Sequence, residues 1–257
     1  MSTKHDMIPV DSWSLLKQFT PARIAIGRTG VSMTTREALS FKADHAMARD
    51  AIYTPMETAG IRDGLQEAGI SFIELKTKVV DRREYLLRPD KGRQLHQDCI
   101  ASLKALHDPD TTACITIADG LSPLAVNRYA VPLTRMLISA FQSAGLRYAP
   151  VCIVKQGRVA VSDETGAATG ASISIILIGE RPGLSSPDSL GVYITYAPAI
   201  GKTDAERNCI SNIRSGGLNL TAAAEKIMYL LNQALQRKLS GVELKETTNH
   251  LNDTSHE

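Results

Sequence analysis

Aromatic residues are scarce in this sequence, and so is any excess of one charge. Phe, Trp and Tyr make up 5% of its 257 residues, too few for an extensive surface on which bases stack. Lys and Arg number 29 against 27 Asp and Glu, mixed along the chain, for a formal net charge of +2. That is no electrostatic footprint for DNA or RNA. No apolar stretch approaches the ~20 residues of a membrane span. The opening "MSTKHDMIPV" lacks the apolar core of a signal peptide. The four cysteines, Cys99, Cys114, Cys152 and Cys209, form no CxxC pair, which argues against zinc and for a reducing compartment. The expectation is a cytoplasmic protein that engages neither nucleic acid nor membrane.

Motifs for self-contained catalysis are also missing. There is no GxGxxG, and "GRTG" (27–30) is too short to replace it. "IGKT" (200–203) carries Gly-Lys-Thr, but Tyr196 stands where the first glycine of a phosphate loop is required. Neither HExxH nor GxSxG occurs. A cobalamin-type DxHxxG is absent too, because Asp44 directly precedes His45. His45, His96 and His107 lie on or near expected helices, where packed or surface histidines are the ordinary outcome. No catalytic or metal-ligating residue is assigned, and a cofactor-handling subunit that needs a partner fits better than a lone enzyme.

What is present is a 43% hydrophobic chain, enough for a real core, with regular alternation in its second half. Residues 12–19 can start a helix with Ser12 as cap, and 34–53 read as a helix. Residues 60–69 form a short amphipathic piece and 70–80 an extended one. After Pro89, Asp90 is placed to cap a helix carrying Leu95, Cys99, Leu103 and Leu106 at helical spacing. Then "ACITIA" (113–118), "YAPVCIV" (148–154), "ASISIILI" (171–178) and "GVYITYAP" (191–198) read as strands. Residues 131–145 read as a helix, 157–166 as a short strand and turn. Residues 221–239 read as a closing helix with Thr221 as cap and Gly241 past its end. Near-continuous apolar strands alternating with helices imply an α/β fold: a Rossmann-like, mainly parallel sheet with helices on both faces. It is expected over residues 110–257, after an N-terminal arm and mainly helical region over 1–109.

Ligands of such sheets sit beyond the carboxyl ends of the strands. Two of those ends are unusual: Asp119-Gly120-Leu121-Ser122 after "CITIA", and Gly179-Glu180-Arg181-Pro182-Gly183 after "SIILI". Asp119 reads either as a turn-forming or helix-capping residue or as a ligand contact. Glu180 is not a favoured turn former. It either pairs with Arg181 or faces a ligand.

Taken together, "RIAIGRTG", "LSFKADHAMARD", "YLLRPDKGRQL", "IADGLSPLAVN", "GRVAVSDETG", "LIGERPGLSSPDSLGVYITYAP" and "RNCISNIRSGG" resemble the small (light) subunit of ethanolamine ammonia-lyase. They keep that family's order and cover nearly the whole chain after residue ~20. The resemblance implies a lyase that splits ethanolamine into acetaldehyde and ammonia by adenosylcobalamin radical chemistry. It implies a hetro-oligomer with a large TIM-barrel subunit that binds ethanolamine, while the small subunit covers the lower face of base-on cobalamin. The cofactor-binding positions it implies are Val159 of "GRV", Glu180 of "GERPG" and Cys209 of "CISN". Glu180 would accept from corrin amides, Val159 would give apolar and backbone contact, and Cys209 would be a small polarisable neighbour. Packaging in a bacterial microcompartment is compatible with the family. The competing expectation is a structural, partner-binding subunit without cofactor contact.

Overall fold

The computed structural model describes residues 13–20, 22–29 and 31–244. The arm over 1–12, with the expected cap Ser12, lies outside them. A 3-10 turn, Ser14–Gln18, and a small hairpin of β1 (Arg28–Thr29) and β2 (Ser32–Met33) lead into helix α1 (Thr35–Tyr53). The side chain of Thr34 accepts from the Glu37 N–H and caps α1. Only Ala51 of α1 is buried, whereas Leu39, Met47 and Tyr53 are 60%, 49% and 62% exposed. Helix α2 (Thr58–Glu67) buries Ile61 and Leu65 instead.

The remaining elements are β3 (Phe72–Lys76), α3 (Arg82–Leu87), α4 (Gln97–Lys104), β4 (Ala113–Ala118), α5 (Pro123–Ser143), β5 (Val151–Lys155), α6 (Val161–Thr169), β6 (Ile173–Gly179), β7 (Leu190–Tyr196), β8 (Arg207–Ile213) and α7 (Leu220–Arg237). They build one six-stranded sheet in the order β3-β5-β4-β6-β7-β8. The first four strands run parallel, and β7 and β8 add antiparallel to one edge. The Rossmann-like, mainly parallel sheet is therefore what the chain forms. Its other edge strand, β3, comes from before residue 110 and pairs with β5 from Phe72↔Val151 to Lys76↔Lys155.

Every residue of β4 and β6 is buried, as expected for central parallel strands covered on both faces. Ile115, Ile117, Ile175 and Leu177 share a core with Leu133, Leu137 and Phe141 of α5 and Ile227 and Leu231 of α7. Cys114, Cys152, Val154 and Ile176 face the opposite core, with Leu95, Leu103 of α4 and Val161 of α6. Helices α5 and α6 thus lie on opposite faces. The connection leaving β4 goes to one face and that leaving β5 to the other, which opens a crevice between their carboxyl ends.

Local readings differ from the structure in several places, among them the expected helical stripe, since Leu95 and Leu106 lie outside α4 and Leu106 is exposed. Residues 157–166 do not make a strand: α6 occupies 161–169, with Asp163 and Glu164 favouring its positive first turn and Gly170 (φ 80°) ending it in the left-handed conformation. Helix α5 starts at Pro123 rather than near 131, because Ser122 caps it through the Ala125 N–H and proline costs nothing in a first turn. Asp90 makes no cap and pairs with Arg88; the His96 side chain caps α4. Asn219, not Thr221, caps α7, and Lys238 (φ 56°) ends it before Gly241. Strand β8 was not foreseen, since Cys209, Ser211 and Asn212 are exposed and break the apolar alternation.

The loops leaving β4 and β6 touch through their backbones. The Leu121 N–H donates to the Gly179 carbonyl at 2.9 Å. A Cβ on Gly120 (φ 58°) would lie 2.2 Å from that carbonyl oxygen, and one on Gly179 2.1 Å from the Ser122 carbonyl oxygen. Gly120→Ala or Gly179→Ala is therefore expected to lower the urea-unfolding free energy by about 1–3 kcal/mol. Gly60→Ala, in open space on α2, should raise it by roughly 0.5–1 kcal/mol.

Candidate functional site

A cavity of about 430 Å³ opens at the carboxyl end of the sheet. Gly120 and Leu121 come to it from β4, Arg158 and Val159 from the loop after β5, and Ile178, Gly179, Glu180 and Arg181 from the end of β6. Tyr193 of β7, Ser211 of β8 and Tyr85 of α3 complete the wall. A second cavity of about 460 Å³ adjoins it and shares Arg158 and Val159; Arg93, Lys202 and Arg207 also line it.

The buried side chain of Asp119 ties the switch point together. One carboxylate oxygen accepts from the Gly120 N–H at 3.1 Å and from the Gly157 N–H at 3.0 Å. The other faces Arg82 Nη1 at 3.5 Å, and the same nitrogen donates to the Gly120 carbonyl at 2.8 Å. Asp119 is thus neither the cap of α5 nor an open ligand contact; it bridges the ends of β4 and β5. The Tyr85 ring is fully buried between two guanidinium groups, with Arg82 4.6 Å and Arg158 4.1 Å from its centroid. Its hydroxyl donates to the Gly157 carbonyl at 3.1 Å. Burial drives the Tyr85 hydroxyl far above the ordinary tyrosine range and lowers Arg82.

Of the three sequence-derived site residues, Val159 and Glu180 line the first cavity. Cys209 lies opposite Tyr193 in the β7–β8 ladder. Alternation places it on the same strand face as Ser211, one step along from the cavity wall. Glu180 does not pair with Arg181. Its carboxylate accepts from Ser189 Oγ at 2.5 Å, Ser211 Oγ at 2.5 Å and the Asn212 N–H at 3.1 Å. A carboxylate offers about four acceptor positions, so one remains for an outside donor. Glu180 both braces the loop against β8 and presents an oxygen to the cavity.

Arg82, Tyr85, Arg158, Ser189 and Ser211 escaped the sequence reading. Arg82 and Tyr85 belong to a six-residue helix, too short for a periodic signal, and reach the site only because α3 folds over the end of β5. Three polar atoms around the site are buried without a protein partner among the described residues: Arg82 Nη2, Gln156 Oε1 and Arg158 Nε. No three His, Cys, Asp or Glu side chains among the described residues are grouped to hold a metal ion. Nor is any described helix long and apolar enough to cross a membrane.

Residues 10–245 match the family described as ethanolamine ammonia-lyase light chain (EutC). The chain belongs to that family. It is 50% identical over 237 residues to the ethanolamine ammonia-lyase small subunit of Azotobacter vinelandii, covering 91% of this chain and 88% of that one. It is 48% identical over 251 residues to the small subunit of Pseudomonas aeruginosa, covering 96% and 92%. The Ralstonia nicotianae small subunit is 50% identical over 237 residues, covering 91% and 88%.

In this light-chain fold, burial pushes the Asp119 carboxyl up to about 6 from 3.8, against the opposing pull of Arg82 and of the surrounding backbone N–H groups. The neutral form is favoured in the fold, so its contribution to stability is complete below pH 3.8 and is lost as pH rises through about 6. Asp119→Asn keeps the acceptor oxygen and removes the titration. Urea midpoints across that window should fall with pH more steeply in the parent than in the variant. Parallel curves would show that Asp119 does not titrate there.

Proposed function

We propose that this chain is the small subunit of a two-subunit ethanolamine ammonia-lyase, and that its switch-point crevice holds the edge of adenosylcobalamin. The large TIM-barrel subunit binds ethanolamine, and this subunit covers the lower face of the base-on cofactor. The family match carries the lyase assignment. The observation that supports the cofactor assignment is Arg158, which lines the crevice and whose buried Nε has no protein partner among the described residues. A buried group without a partner costs about 1–3 kcal/mol, and a ligand carrying amide carbonyl acceptors would offer Arg158 one. The corrin periphery has that chemistry. Cobalamin is much larger than a 430 Å³ cavity, so the fit is that of a half-site, with the other half on the partner. The exposed apolar residues Leu39, Met47 and Tyr53 of α1 support a chain that is not complete alone. Cytoplasmic location, with packaging in a bacterial microcompartment, belongs to the same reading.

When bound, adenosylcobalamin supplies the radical chemistry. The residues of this chain bind, orient and enclose. Glu180 accepts from a corrin amide through its free acceptor position. Val159 gives apolar contact and a backbone polar edge. Tyr193 lines the cavity, and Cys209, its partner across the β7–β8 ladder, would be a small polarisable neighbour. Asp119 fixes the β5 loop that carries Arg158 and Val159.

Mixing the purified chain with its large subunit and adenosylcobalamin should restore ammonia release from ethanolamine, with none from this chain alone. Activity of the chain alone, or no gain on mixing, would contradict the proposal. In an absorbance titration of the complex, Glu180→Ala should weaken cobalamin binding by roughly ten-fold or more, the loss of a charge-assisted hydrogen bond worth about 1.5–3 kcal/mol. An unchanged titration rejects the role of Glu180. A complex that forms normally yet never binds cobalamin would favour the structural, partner-binding alternative.

A further inference from the structure

The second cavity differs in character from the first. Four of its lining side chains are cationic, Arg93, Arg158, Lys202 and Arg207, against the single carboxylate of Asp204. Two of the four are already engaged. Lys202 pairs with Glu206 at 2.9 Å, and Arg207 pairs with Asp163 and with Asp204. The other two make no ion pair among the described residues: Arg93 has no partner, and Arg158 meets only the carbonyl and ring of Tyr85. Arg207 is 6% exposed, and its Nε has no protein partner among the described residues. Buried guanidinium nitrogens left unpaired beside uncompensated positive charge mark a place where an anion lowers the free energy.

This cationic cavity adjoins the candidate cofactor site. Arg158 and Val159 line both. Along β8, Arg207, Cys209 and Ser211 share one strand face; Arg207 lines the second cavity and Ser211 the first. The two cavities thus adjoin at Arg158 and Val159, with a carboxylate acceptor, Glu180, lining the first and guanidinium donors, Arg93 and Arg207, lining the second.

We infer that the Arg93–Arg158–Arg207 cavity is a phosphate-ester subsite, taking a singly charged phosphodiester or free phosphate through guanidinium hydrogen bonds. The inference rests on the cobalamin reading above, because cobalamin carries one phosphodiester in its nucleotide loop, and it adds the residues that would hold that group. The test uses the complex with the large subunit and two probes, cobalamin and cobinamide, which keeps the corrin amides but lacks the nucleotide loop and its phosphodiester. Binding is read from corrin absorbance, without turnover. Arg93 is exposed, so Arg93→Gln should leave the fold intact. It should weaken cobalamin about ten-fold and leave cobinamide unchanged, and orthophosphate should compete with cobalamin in the parent but less in the variant. If only orthophosphate binding is lost in Arg93→Gln, the subsite is for free phosphate. Equal weakening of both corrins, or no change in any probe, overturns the subsite. Failure of both corrins to bind the parent complex overturns the cofactor reading and this inference with it.

Discussion

The carboxylate of Asp119 holds together the two strand ends between which the chain changes direction. Its acceptance from Gly120 and Gly157 bridges β4 to β5. Arg82 closes the remaining side and brings helix α3, and with it Tyr85, over the crevice. The loop after β5 is held by this bridge together with the Arg158 N–H donating to the Gly92 carbonyl at 2.8 Å and the Tyr85 hydroxyl donating to the Gly157 carbonyl at 3.1 Å, and these contacts position Arg158 and Val159. The glycines at 120 and 179 matter for a related reason. Two backbone segments can approach this closely only where neither has a Cβ, and that approach sets Glu180 beside Ser189 and Ser211.

The sheet was readable because its central strands are apolar on both faces, leaving "ACITIA", "VCIV" and "SIILI" no other stable place than the middle of a parallel sheet. Glu180 was readable as unusual from the same logic: a carboxylate at the end of such a strand needs a reason. In the structure Glu180 braces its loop to β8 and lines the cavity. Strand β8 was not readable, because an edge strand with one exposed face carries polar residues at half its positions. The true roles of Asp119, Arg82 and Tyr85 depend on contacts 37 or more residues apart in sequence, which no local pattern encodes. Helix α6 hid for another reason. Its residues are mixed in propensity, and what makes it a helix is tertiary: Val161 packs against the sheet and Glu164 accepts the Leu95 N–H.

The sequence carries no phosphate-loop motif, and no metal-binding cluster occurs among the described residues. Under the proposed function, a cofactor supplies the hard chemistry and this chain one wall of its site. Unpaired guanidinium nitrogens, a partly satisfied carboxylate and the exposed Leu39, Met47 and Tyr53 of α1 would each be unfavourable in a self-sufficient protein. The proposed function accounts for them together, since a cofactor and a second chain would cover these surfaces.

Hydrogen–deuterium exchange on the complex with the large subunit, with and without adenosylcobalamin, tests the central claim most directly. The account predicts that the cofactor slows exchange in three separate segments, 157–161, 179–186 and 209–212, which converge only at the first cavity. Unchanged exchange in all three, with protection appearing elsewhere in the chain, would contradict it.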